Sequence, residues 1–302
     1  MTPISRLIAV SVFAVLVVAS SPVVLSQAAQ GSSDKRQEFS SLFEKAAKGD
    51  ASAQFDLGKM YANGKGVTEN DAEAVKWFRL AANQRNARAQ HNLGVMYAKG
   101  EGVAENDAEA VKWFRLAADQ GVANAQLALG IAYENGRGVP KNNAEAVKWY
   151  RLAADQGYAQ AQFYLGVMYY EGKGVPKNAA EAVRWYRRAA DQEYAKAQYN
   201  LGWMYAKGDG VPKNDAEAVK WYRLAADQGN ARAQYNLGIM YDKGKGVPTS
   251  DAEAYFWWNL AAAQGGENAK FNRDSIEKTM TREQIAEAQR RSAAWKPKSN
   301  NP

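Results

Sequence analysis

The strongest constraint on this chain is an interval: the same residues return every 36 positions, six times, without a slip. Gln54, Gln90, Gln126, Gln162, Gln198 and Gln234 share it, as do the glycines from Gly58 to Gly238 and the tyrosines from Tyr61 to Tyr241. Trp77, Trp113, Trp149, Trp185, Trp221 and Trp257 keep the same step, and so do the Ala-Ala pairs from Ala81-Ala82 to Ala261-Ala262. Self-similarity at a period of this length specifies an array of one supersecondary unit, each copy packed on the next.

Each unit reads as two helices. The first runs from Ala51 to about Ala62 in the first copy, with Leu57, Met60 and Tyr61 on one side, and Gly64 supplies the left-handed residue that commonly ends a helix. A short loop, GKGVTEN, leads to a second helix that opens on Asn70-x-x-Glu73, a pattern like a capping box. Asn106/Glu109, Asn142/Glu145, Asn178/Glu181, Asn214/Glu217 and Ser250/Glu253 repeat it. Ala74, Trp77, Phe78 and Ala81 then follow the i, i+3, i+4, i+7 spacing of a buried stripe. One helix pair cannot cover both of its apolar sides, so the units must stack into an all-α solenoid of helix-turn-helix repeats.

Residues 50–265 hold the six repeats, and 29–49 a linker and capping helix, since KRQEFSSLFEKAAK resembles a second helix without its partner. Residues 266–302 read as a partial repeat, a polar closing helix opened by the capping box Thr281-x-x-Gln284, and a disordered tail, KPKSNNP. Residues 1–28 read as a secretory signal: Arg6, then the apolar run Leu7 to Ala19, then small residues around Ser26-Gln27-Ala28. That run is shorter than the roughly 18 residues a membrane span requires, which favours cleavage near Ala29 and no stable membrane insertion afterwards.

The pattern AxAQxxLGxxYxxGxGV, followed by AxxWY and AA, resembles the Sel-one-like repeat family, a relative of the tetratricopeptide repeats, over about residues 50 to 269. The resemblance implies a right-handed α/α superhelical solenoid that serves as an adaptor or binding scaffold. It also implies the roles of exported bacterial relatives, in envelope signalling, host interaction and assembly of complexes. Some cysteine-rich relatives are linked to β-lactam binding or hydrolysis and pair their helices through disulfides. This chain has no Cys and departs from them.

Comparing the six copies with one another separates two halves of the first helix. Let phase 0 be Asp50, Asn86, Val122, Tyr158, Tyr194 and Asn230. Phases 1, 3, 4, 7, 8, 10 and 11 are nearly constant and, at about 100° per residue, fall on one half. Phases 2, 5, 6, 9, 12 and 13 vary and fall on the other, which in the tetratricopeptide relatives lines the groove. Phase 5 holds Phe55, His91, Leu127, Phe163, Tyr199 and Tyr235, and phase 9 holds Lys59, Val95, Ile131, Val167, Trp203 and Ile239. Phase 5 borders the constant half, so its residues face either the groove or the core of their own unit. Phase 9 lies near the centre of the variable arc, and Lys59 there argues for exposure, because an unpaired buried ammonium is costly. With Tyr170, these residues form the candidate partner-binding set, flanked by Lys99, Lys196, Lys207 and Arg232. Exposed aromatic and aliphatic patches of this kind mark interaction surfaces.

Catalytic chemistry finds little support. The absence of Cys excludes thiolate catalysis and Cys-ligated zinc, and His91 is the single imidazole. The Glu73 series is accounted for by its cap position, and the GKGV loops lack the spacing of a phosphate cradle. No catalytic, cofactor or metal residues are assigned. Lys76, Lys112, Lys148, Arg184 and Lys220, with Arg79, Arg115, Arg151, Arg187 and Arg223, read as a solvated convex face. Formal charge is +7, or +6 without the leader, which carries only Arg6. That is too evenly spread for nucleic acid, though compatible with an anionic envelope polymer. The expectation is therefore a non-enzymatic, exported protein, periplasmic or secreted, that binds a protein or peptide in its concave groove. The alternative is a cell-wall enzyme or binder of a β-lactam or peptidoglycan fragment. The sequence leaves partner and oligomeric state open.

Overall fold

The computed structural model describes residues 33–298, so the leader and the last four residues lie outside the described residues. The described residues form α-helices and one 3-10 turn, in two compact units that meet in sequence at Trp149 and Tyr150. Helix α1 spans Ser33–Ala47, and the six repeats contribute α2 (Ala51–Asn63), α3 (Asp71–Asn83), α4 (Ala87–Lys99), α5 (Asp107–Asp119), α6 (Ala123–Asn135) and α7 (Asn143–Asp155). They continue with α8 (Ala159–Glu171), α9 (Ala179–Asp191), α10 (Ala195–Lys207), α11 (Asp215–Asp227), α12 (Ala231–Lys243) and α13 (Asp251–Ala263). Helices α14 (Glu267–Ile276) and α15 (Arg282–Ala294) follow. Each unit is a run of stacked helix pairs, the α/α solenoid that the period requires.

The helix ends are set by the residues the period repeats. Gly64 ends α2 with φ 61°, and its N–H returns to the Met60 carbonyl. Asn70 caps α3 by accepting from the Glu73 N–H at 3.0 Å. The box closes only halfway. The Asn70 N–H is already given to the Tyr61 carbonyl, and the Glu73 carboxylate pairs instead with Lys76 at 2.5 Å. At α15 both halves form, Thr281 N–H to Gln284 at 2.9 Å and Gln284 N–H to Thr281 at 3.3 Å.

Within a repeat, the two helices approach closest at the constant glycine. A Cβ at Gly58 would lie 2.6 Å from the Phe78 ring, and one at Gly166 would lie 2.7 Å from Tyr186. Only Gly leaves room for an aromatic ring there.

Between repeats, two ladders do the joining. Each constant Gln is buried, and its amide donates to the carbonyl of the second Ala of the preceding Ala-Ala pair: Gln90 to Ala82 at 3.1 Å, Gln198 to Ala190 at 3.1 Å. These carbonyls belong to the last turn of a helix, where the glutamine amide joins a donor from the closing turn, as Arg85 N–H does at Ala82 and Glu193 N–H at Ala190. The same Gln accepts from a second Gln at the end of its own repeat, as in Gln228 to Gln198 at 2.7 Å. Gln54 extends the ladder to Ala46 in α1 at 3.0 Å, so α1 acts as the second helix of a missing repeat. Phe39 and Phe43 of α1 cover Leu57 and Trp77 in the same cluster.

The second ladder corrects the reading of the arginines as a solvated stripe. Arg79 donates to the Tyr97 hydroxyl of the next repeat at 2.6 Å, and Arg115, Arg151, Arg187 and Arg223 do the same to Tyr133, Tyr169, Tyr205 and Tyr241. Arg115, Arg151, Arg187 and Arg223 also lie over the next repeat's Trp149, Trp185, Trp221 and Trp257. The constant Tyr and Trp therefore receive a cation from the repeat before them. The lysines Lys76, Lys112, Lys148 and Lys220 stay exposed and pair with the cap glutamates of their own helices.

Candidate functional site

The constant half of the first helices is committed to this packing. In α10, Ala197, Gln198, Leu201, Gly202 and Met204 are buried. The variable half is the one that remains partly open, and it is apolar because its residues lean on the core from the side.

Phase 5 divides between the alternatives left open by the sequence. In four repeats its ring packs on the second-helix aromatic of the same repeat: Phe55 on Phe78 (6.0 Å between centroids), His91 on Phe114 (5.8 Å), Phe163 on Tyr186 (5.9 Å) and Tyr199 on Tyr222 (6.0 Å). Tyr235 instead accepts the Trp258 indole N–H at its backbone carbonyl, at 3.1 Å. Phe55 and Leu127 are buried, so these two candidates belong to the core of their repeats and offer a partner almost no surface. His91, Phe163, Tyr199 and Tyr235 are half-buried, with one edge on the face.

Phase 9 is more open. Lys59 is exposed, its Nζ 5.4 Å from the Phe55 ring, and Val95, Ile131, Val167, Trp203 and Ile239 are half-buried. Trp203 meets Tyr170 of the preceding repeat edge to face, 5.8 Å between centroids at 86°. It packs at the margin of two core clusters, one on either side. Trp203 thus has a double character: a wedge between repeats whose outer edge is exposed.

Repeats four and five hold the densest aromatic group on this face. Tyr164 stacks at 5.3 Å on Tyr150, a buried ring of repeat three's second helix, Phe163 contacts Tyr164 at 5.6 Å, and Phe163 meets Tyr194 at 5.4 Å. Tyr194 was missed as a candidate. Its signal lay in the cap pattern: Asp50, Asn86 and Asn230 cap their helices by side-chain hydrogen bonds, whereas Tyr158 and Tyr194 occupy that position and make none. An aromatic side chain has displaced a cap there.

Burial raises the Tyr170 hydroxyl above its ordinary value, aided by the nearby Asp209 and Glu171 carboxylates. Burial likewise raises Tyr194, and it lowers His91, against which the Asn92 oxygen at 3.2 Å acts in the opposite direction. Lys99, Lys196, Lys207 and Arg232 stand exposed around the rim. Ser52, Phe55, Asp56, Asn86, Ala87 and Arg88 line a hollow of about 320 Å³ where the first two repeats adjoin on this face. The arrangement can bury apolar surface and bind backbone or carboxylate groups at its edge. Among the described residues, no helix is long and apolar enough to cross a membrane.

Comparison with known proteins agrees with this geometry. The Sel1 repeat model matches six times in succession, at residues 51–86, 87–122, 123–158, 159–194, 195–230 and 231–266. Among solved structures, c5321, a protective antigen present in uropathogenic Escherichia coli strains and displaying an SLR fold, is 38% identical, with a TM-score of 0.79. That match covers 84% of this chain but 56% of the other, so the chain spans little more than half the length of the E. coli protein. A Sel1 repeat protein from Oxalobacter formigenes is 34% identical over 82% of this chain and 99% of its own, with a TM-score of 0.68. No curated protein matches the sequence.

Proposed function

Because the chain belongs to the Sel1 repeat family, whose members are generally protein–protein interaction scaffolds, we propose that it is a non-enzymatic adaptor of a bacterial cell envelope. It holds a protein or peptide against the variable face of its first helices. The observation that carries this reading is the contrast within α10: Leu201, Gly202 and Met204 are buried, while Trp203 between them keeps an exposed edge beside Tyr170 and Tyr199. Rigid aromatic anchors on stacked helices lose little freedom on binding, which favours affinity.

Affinity capture from envelope extract tests the face. Wild type retains a defined protein, and a Trp203→Ala/Tyr199→Ala double variant retains it several-fold less at matched folded fraction. Equal retention by the two would overturn the reading. Export rests on the leader-like residues 1–28. The mature protein is expected in an extracytoplasmic fraction with Ala29 at or near its N-terminus by mass spectrometry, and a full-length chain confined to the cytosol would refute export.

A further inference from the structure

The second helices carry a groove that the chain itself shows how to fill. After α15 the chain turns back over the ends of α11 and α13. Lys298 donates its backbone N–H to the Asp227 carbonyl and its Nζ to the Asp227 carboxylate, each at 2.8 Å. Pro297 and Trp295 lie over Gly229, where a Cβ would come within 3.5 Å of one and 3.8 Å of the other. Trp295 packs on the cluster that contains Trp257 and Leu260, and Leu260 is only 7% exposed. These residues, Trp295-Lys296-Pro297-Lys298, include part of the tail expected to be disordered.

One repeat earlier, between the ends of α9 and α11, the same groove is uncovered. Leu224, the counterpart of Leu260, is 46% exposed, and Trp221, the counterpart of Trp257, is half-buried. Asp191 stands exposed where Asp227 stands. Glu193 stands where Gly229 stands, with φ 61°, in a turn that elsewhere uses Gly121, Gly157, Gly229 and Gly265. A side chain in that conformation crowds its Cβ against the backbone, so Glu193 adds a carboxylate at a position where the backbone favours Gly.

The groove recurs with different edges. Between repeats one and two it is a cavity of about 430 Å³ walled by Trp113 and Leu116, but Asn83 and Arg85 replace the two acids. Between repeats three and four it is closed by Arg188, which lies 4.5 Å over Trp185. The site of repeats four and five combines an open apolar floor with two acids, Asp191 and Glu193.

We propose that this groove binds a short segment of a partner protein with the chemistry of the chain's own tail: an aromatic residue, then a proline two positions on, then a basic residue. The aromatic ring covers Leu224 and Trp221, and the cation pairs with Asp191. This surface lies on the second helices and does not depend on the first-helix reading.

The probe is a fluorescent capped peptide of residues 293–298 titrated into the full chain. Saturable binding is expected, weakened about tenfold by Asp191→Asn and by Leu224→Ala, the factor that loss of a charge-assisted bond or an exposed apolar contact produces. Trp203→Ala leaves it unchanged, and a probe with Trp295→Ala does not bind. Asp191 and Leu224 are exposed, so circular dichroism of both variants matches wild type. Absence of saturable binding overturns the proposal. So does binding that survives Asp191→Asn and Leu224→Ala but vanishes with Asp227→Asn, since the probe would then only exchange with the tail.

Discussion

Each first helix has two halves that keep their sequences for different reasons. On one half, Leu201, Gly202 and Met204 contact neighbours that are nearly the same in every repeat, so nearly the same residues recur. On the other, phase 9 is Lys59, Val95, Ile131, Val167, Trp203 and Ile239, six copies of one position with four residue types. Repeated contacts impose repeated residues, while a half that the stack leaves partly open can diversify. The difference teaches that variability between copies locates accessible surface, but only by degree. Phe55 and Leu127 vary in type and are still buried, because position at the border of the two halves lets a large side chain reach the core.

Substitutions on either half test this division. Gly166→Val forces a branched side chain against Tyr186 and should cost about 3 kcal/mol in chemical unfolding. A cost below about 1 kcal/mol would show that the helices can separate and that the constant half is less committed than described. Gln198→Leu removes two hydrogen bonds, one to the Ala190 carbonyl and one from the Gln228 amide, at a cost of about 2 kcal/mol, and hydrogen exchange should quicken in both adjoining repeats. Trp203→Ala should cost less than either, about 1–2 kcal/mol, because the ring is only partly buried. A loss as large as that of Gly166→Val would move Trp203 to the constant half. Arg187→Ala removes one bond to Tyr205 and one contact with Trp221, for about 1 kcal/mol.

The smallest effect is electrostatic. Burial holds the folded-state value of His91 below that of the unfolded chain. Its contribution is therefore fully present above roughly pH 6.5 and is lost as pH falls through the lower folded value. Wild-type Tm should drop more than that of His91→Gln between roughly pH 7 and pH 5. Equal drops would mean that the imidazole edge is solvated and belongs to the open face.

Much of the fold was legible because a period is a statement about contacts. Residues recurring at 36 positions mark the helices, the glycine approach and the buried stripe. What stayed illegible are contacts that join different repeats. Arg187 and Tyr205 are 18 residues apart, and nothing in either helix's own periodicity says that they face each other. Lys298 and Asp227 are separated by 71 residues, and the tail's composition read as disorder. Leu116, Leu152 and Leu224 are large and apolar, yet each is nearly half exposed, and nothing in the stripe's spacing marks them out. Of the site, the helix half was legible from alternation among copies. Which of its members reach inward was not, since that depends on the size of the second-helix ring beneath each one.

The glutamine ladder has a consequence for how such a chain can change its length. Each buried amide donates to the repeat before and accepts within its own, so every repeat presents the same accepting carbonyl at one end and the same donor at the other. Excising residues 195–230 would bring Gln234 to the carbonyl of Ala190, in the geometry it now has with Ala226, and strand no buried polar group. The molecule is therefore divisible only in whole repeats. A gene that duplicates or drops one such block yields a chain that still folds and carries a longer or shorter row of binding positions.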